Sequence, residues 1–138
     1  MTTSPVSCDS SVLVAALGPW HPAHQVSRAA ARTRVTAVAP HVLTETFATL
    51  TRLPASHRAD PATVLAALEA LSYRMLTLPA KAHLDLLRKL TADGIVGGAT
   101  YDGAIAATAA HHRHLLLSLD RRAERTYRAI GVDYELIS

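Results

Sequence analysis

Cysteine is nearly missing from this chain of 138 residues, which has Cys8 alone. A lone thiol cannot close an internal disulfide, so packing must hold the fold, as expected in a reducing compartment. Cysteine-based zinc ribbons and fingers are excluded too, because they need at least two thiolates. Aromatic residues are scarce at 4%, limited to Trp20, Phe47 and four tyrosines. Charged residues make up 18% against 49% hydrophobic, the reverse of a disordered composition. No unbroken apolar run nears the roughly 18 residues of a membrane span, and mean hydropathy is only +0.16. Met1 to Ser7 has neither a basic stretch nor a long apolar one. The expectation is therefore no signal peptide, no membrane partner and a cytoplasmic location. No internal repeat is visible, which excludes a solenoid.

What is present fits one domain spanning residues 1–138, since domains commonly run about 100–200 residues. Such a chain buries roughly two-thirds of its unfolded surface, enough for one ordinary core. The formal charge is +3, from 14 cations against 11 carboxylates. Apart from Lys81 and Lys89 the cations are arginines, which suit bidentate phosphate contacts. An alanine- and arginine-rich chain is also what a GC-rich genome writes, so charge alone does not establish a nucleic-acid partner.

Short apolar segments predict five strands, at Pro5–Cys8, Val35–Ala39, Arg74–Leu78, His114–Leu119 and Val132–Ile137. Several are continuous apolar runs, as strands covered on both faces are. Helical patterns fill the intervals: Ser10–Leu17, Pro22–Arg32, His41–Arg52, a helix opened by Asp60-Pro61 and running to Leu71, Ala80–Ala92, Tyr101–His111 and Arg121–Ile130. An Asp cap followed by proline is a strong helix start, and Gly94 and Gly131 are placed to end helices. Alternating strands and helices imply an α/β fold in three layers, α/β/α, around a mainly parallel five-stranded sheet. Ligands of such folds bind at the carboxyl edge of the strands.

Four of the eleven carboxylates stand apart from the solvated ones. Asp9 follows the first strand and Asp120 the fourth, and each is also a good N-cap. Glu45 lies in a helix with no other charge from Ala37 to Thr51. Asp102 shares a helix face with the apolar Ile105, Ala106 and Ala109. In the parallel arrangement all four come to one edge. Converging carboxylates repel and raise one another's pKa values, and a divalent metal relieves that repulsion. Oxygen-only ligation suits Mg²⁺ or Mn²⁺, not Zn²⁺, and such a site supports phosphoryl hydrolysis.

With these acids in order, the sequence resembles the PIN-domain family, and within it the VapC-type toxin ribonucleases of type II toxin–antitoxin systems. Cys-Asp-Ser-Ser-Val-Leu-Val at 8–14 is similar to the family's opening motif, the stretch at 97–109 to its third-acid helix, and Leu-Leu-Leu-Ser-Leu-Asp-Arg-Arg-Ala at 115–123 to its last-acid strand. The resemblance covers about Ser4 to Ile137. It implies a PIN-like domain acting as a metal-dependent endoribonuclease that inhibits translation. Asp9, Glu45, Asp102 and Asp120 would be the catalytic acids, holding Mg²⁺ or Mn²⁺ directly or through water. Ser118 and Ser10 would support them by orienting a carboxylate or a water. A homodimer and a VapB-type antitoxin whose C-terminal segment fills the groove are the partners it implies, with RNA as substrate, cut to leave 5′-phosphate and 3′-hydroxyl ends. Gly103 departs from the pattern, since many relatives carry a better helix former there.

Arg121 and Arg122 adjoin the last acid and are candidates to hold RNA phosphates; a solvated face with Glu124 paired to Arg121 or Arg128 is the plainer alternative. His111, His112 and His114 match no strong zinc spacing and read as a solvated loop. His21 and His24 read as packing or a groove rim, and Cys8 as a buried structural thiol. A haloacid-dehalogenase-like phosphatase needs a second Asp two residues after the first, where Ser11 stands. The remaining alternative is a non-catalytic PIN-like module that binds RNA or protein.

Overall fold

Five short strands and seven helices alternate along the computed structural model, which describes residues 4–138. Met1 to Thr3, included in the expected domain span and in the expected lack of a signal segment, lie outside the described residues. The strands are β1 (Val6–Cys8), β2 (Ala37–Val38), β3 (Arg74–Met75), β4 (Leu115–Ser118) and β5 (Tyr134–Leu136). The helices are α1 (Ser10–Leu17), α2 (His24–Thr33), α3 (Pro40–Thr51), α4 (Pro61–Leu71), α5 (Ala82–Ala92), α6 (Ala99–His111) and α7 (Glu124–Ile130), the last preceded by a 3-10 turn at Arg121–Ala123. The ends follow local chemistry. Asp60 caps α4 by accepting from the Thr63 amide at 3.2 Å, with Pro61 behind it. Gly131 ends α7 in the left-handed conformation, φ +83°, which costs glycine nothing.

All strand pairs are parallel, as expected, but the five-stranded sheet needs correction. β1, β4 and β5 form one ladder in the order β1-β4-β5, and β2 and β3 form a second. A single bridge, Val6 to Val35, and a hydrogen bond from the Thr36 amide to the Val6 carbonyl join them. Every strand is shorter than its apolar run. α1 begins two residues after β1 and α3 two residues after β2, so β1 and β2 present too little extended backbone for a longer ladder. Aliphatic side chains of β1, β4 and α1, with Val42, Ile105 and Tyr127, make the main core. Leu86, Leu90 and Ile95 form a second, smaller one between α5 and α6.

Gly103 has a packing reason. It is buried, and a β-carbon there would meet Leu90 Cδ2 at 2.9 Å. The missing side chain lets α5 pack close to α6 beside Asp102. Gly103→Ala recovers about 0.8–1 kcal/mol of helix propensity but displaces a buried leucine, at about 1–3 kcal/mol. The expected result is a lower Tm. Combined with Leu90→Ala, it should destabilise less than the two single changes summed, which a double-mutant cycle on thermal or urea unfolding measures.

Candidate active site

β1 and β4 lie side by side with Cys8 opposite Leu117. Their next turns therefore leave the sheet together, and each carries an aspartate. The Asp9 amide still donates to the Leu117 carbonyl at 3.1 Å. Asp9 Oδ1 accepts from the Ser11 amide at 3.0 Å and caps α1; Asp120 Oδ1 accepts from the Arg122 amide at 2.9 Å and caps the 3-10 turn. Capping and convergence are thus the same placement, and neither excludes the other. Glu45, a turn into α3, and Asp102, in the first turn of α6, approach the same edge.

Asp9 is buried and fully engaged. Ser11 Oγ donates to Oδ1 at 2.5 Å, while Ser118 Oγ and the Tyr127 hydroxyl each donate to Oδ2 at 2.5 Å. Burial raises the Asp9 pKa, and these hydroxyls work against the rise. Burial and the facing Asp9 carboxylate push the Tyr127 phenol well up, so it stays a donor. Two of the hydroxyls also tie the turns together. Ser11 Oγ accepts from the Leu119 amide at 2.9 Å, and Ser118 Oγ from the Asp120 amide at 3.0 Å. Ser10, the other serine of the first motif, donates to Glu45 Oε1.

Asp102 is placed differently. Among the described residues it accepts no side-chain hydrogen bond and pairs with no cation. Its pKa is pushed up to about 6, first by burial and then by Asp9, Asp120 and Glu45. The four acids share one field. No Lys or Arg ion pair among the described residues involves any of them; His41 Nε2, 3.7 Å from Glu45 Oε2, is the nearest approach of a basic group. The donor set is carboxylate and hydroxyl oxygen, which suits a hard divalent ion. No three His, Cys, Asp or Glu side chains among the described residues close around a single ion position. Asp9 already accepts four hydrogen bonds, two on each oxygen. A Mg²⁺-like ion still fits, because such ions keep several waters and use one or two carboxylates directly.

The sequence reading omits Tyr127, Ser11 and His41 from the site. Nothing local marks Tyr127, which meets Asp9 across 118 residues. Arg121 and Arg122 are exposed beside Asp120 and have no ion-pair partner among the described residues, while Glu124 pairs with Arg128 at 3.3 Å. His114 is buried, contrary to a solvated loop, with Nδ1 3.0 Å from the His112 carbonyl, and His112 Nε2 is 2.8 Å from the Thr77 carbonyl. Cys8 is buried, and burial pushes its thiol well up. No helix among the described residues is long and apolar enough to cross a membrane.

A family model described as PIN domain matches residues 6–129. Ribonuclease VapC40 of Mycobacterium tuberculosis (strain ATCC 25618 / H37Rv) is 37% identical over 134 residues, covering 96% of this chain and 99% of that protein. Ribonuclease VapC27 of the same strain is 38% identical over 128 residues, 93% of each. Among solved structures, VapBC2 from Rickettsia felis, bound to a DNA fragment from their promoter, is similar with a TM-score of 0.68 at 15% identity, covering 96% of this chain and 98% of that one. PAE2754 from Pyrobaculum aerophilum is similar with a TM-score of 0.63 at 21% identity, covering 96% and 92%. These two likenesses show the fold.

Proposed function

The chain belongs to the PIN-domain family, and we propose that it is a metal-dependent endoribonuclease, the toxin of a VapBC-type toxin–antitoxin pair that acts by inhibiting translation. One observation carries the reading: Asp9, Glu45, Asp102 and Asp120 converge at the carboxyl edge of β1 and β4 with no arginine or lysine among the described residues paired to them. The curated relatives named as ribonucleases support the activity. Like charges gathered in this way call for a divalent cation, Mg²⁺ or Mn²⁺, held by these four residues directly or through water.

When bound, the ion supplies Lewis acidity, offsetting phosphate charge and acidifying water. The chain supplies the geometry. Ser11, Ser118 and Tyr127 lock the Asp9 carboxylate, and Ser10 holds Glu45. Arg121 and Arg122 hold RNA phosphates beside Asp120. Hydrolysis adds water at phosphorus and breaks the bond to the 3′ oxygen, leaving 5′-phosphate and 3′-hydroxyl ends. The partners are RNA, a VapB-type antitoxin whose basic group can stand in for the metal charge, and a second copy of the chain. The setting is the cytoplasm.

The test is cleavage of total cellular RNA by antitoxin-free protein with Mg²⁺ or Mn²⁺, with EDTA, and with Asp9→Asn. Discrete fragments in the first condition alone are the expected result. Fragments that persist in EDTA or with Asp9→Asn would refute the assignment. Absence of both cleavage and metal binding would favour a non-catalytic module.

A further inference from the structure

One pair of rings beside the acids has no part in the chemistry described so far. Tyr101 directly precedes Asp102 and is the most exposed of the six aromatic side chains, at 55%. His41, in the first turn of α3, stacks on it with centroids 5.1 Å apart and planes 9° from parallel. The same imidazole approaches Glu45 Oε2 at 3.7 Å, beyond hydrogen-bonding reach. One aromatic platform therefore spans the two helices that bring Glu45 and Asp102 to the site. Next to it opens a small cleft, about 260 Å³, lined by Pro40, His41, Leu76, Leu78, His83 and Ile105. Its walls are mostly aliphatic, so it is unsuited to a phosphate.

A solvent-facing ring stacked on an imidazole that itself lines an apolar slot offers an unstacked base both a platform and a pocket. Single-stranded RNA is read by splaying bases onto aromatic side chains, and each such stack is sequence-tolerant until a pocket adds shape. We propose that the His41–Tyr101 stack and the adjoining cleft take one unstacked nucleobase of single-stranded RNA next to the cleaved bond, and so decide where the chain cuts. The inference rests on the ribonuclease reading above and adds the positions that select the site of cleavage.

Affinity for short labelled single-stranded RNAs, read by fluorescence anisotropy in the intact Asp120→Asn chain with Mn²⁺, tests it without cleavage. Adding Tyr101→Ala should weaken binding roughly fivefold to a hundredfold, the range of one lost base–aromatic stack. Tyr101→Phe, which keeps the ring, should restore it, and His41→Leu should weaken it by removing the stacking partner. In the cleaving chain, Tyr101→Ala should raise KM more than it lowers kcat and change the nucleotides at mapped cut sites. Unchanged affinity, KM and cut sites with Tyr101→Ala overturn the subsite and leave the ribonuclease standing. Binding that depends on Tyr101 in a chain that never cuts keeps the subsite and removes the ribonuclease. Failure of the intact chain to bind RNA overturns the subsite.

Discussion

Asp102→Asn should lower RNA cleavage by more than about a hundredfold and, in the metal-free protein at neutral pH, raise stability. The loss exceeds the roughly 10–100-fold typical of removing a group that only supports a metal ligand. The gain follows from the raised pKa. Asp102 is held at about 6 by burial and by three neighbouring acids, against about 3.9 in an unfolded chain. Between those values the folded state binds the extra proton, so stability falls as pH rises through the window and the penalty is complete above pH 6. Two units correspond to about 3 kcal/mol. Asp102 is only half-buried, and solvent screening reduces this to about 1–2 kcal/mol. Asparagine does not titrate. Thermal unfolding in chelator should therefore show the wild-type Tm dropping from pH 4 to pH 7 more steeply than that of the variant. Mg²⁺ or Mn²⁺ should raise the wild-type Tm, as any ligand of the folded state does, and raise the variant's less. A variant less stable than wild type in chelator would contradict the repulsion.

Tyr127→Phe should cost about 1–3 kcal/mol of stability and roughly tenfold to a hundredfold in cleavage rate. The ring stays packed against Tyr134, at 5.6 Å between centroids, so the change removes one oxygen. That oxygen donates to Asp9 Oδ2 in a fully buried setting. Without it Asp9 loses one of the donors that oppose its desolvation, and its pKa rises further. The cleavage profile should shift to higher pH along with the lower rate. Equal activity at every pH would mean that Ser11 and Ser118 suffice to hold the carboxylate.

Locally coded features were legible in the sequence. Asp60-Pro61 marks the start of α4, Gly131 the end of α7, and the two aspartates that follow apolar runs lie at the tips of β1 and β4. Asp102 shows its half-buried face through the spacing to Ile105, Ala106 and Ala109. What escaped depends on distant chain segments. The sequence reading expects Ser10 to orient a carboxylate or a water but does not name Glu45, 35 residues away, as its partner, and it leaves Tyr127, which meets Asp9 across 118 residues, unmarked; no local period encodes either pairing. His41 and Tyr101 are unremarkable in their own helices and become a platform only when α3 and α6 are side by side. The division of the sheet was hidden for a related reason. Apolar runs report burial, and buried residues such as Val35, Ala39, Leu76, Val132 and Ile137 lie outside the five strands, so strands read from the runs come out longer than the ladders.

The pairing of Cys8 with Leu117 also governs how the chain can change length. The gap between Asp9 and Asp120 is measured off along a ladder whose step is about 3.3 Å and whose side chains alternate in direction. Inserting or deleting one residue inside β1 or β4 therefore displaces or inverts an acid as surely as replacing it, though every carboxylate remains. The stretch between α3 and α4, residues 52–60, carries no rung of that ladder and largely exposed side chains. A residue added in that stretch leaves both acids where they are, whereas one added inside β1 or β4 does not.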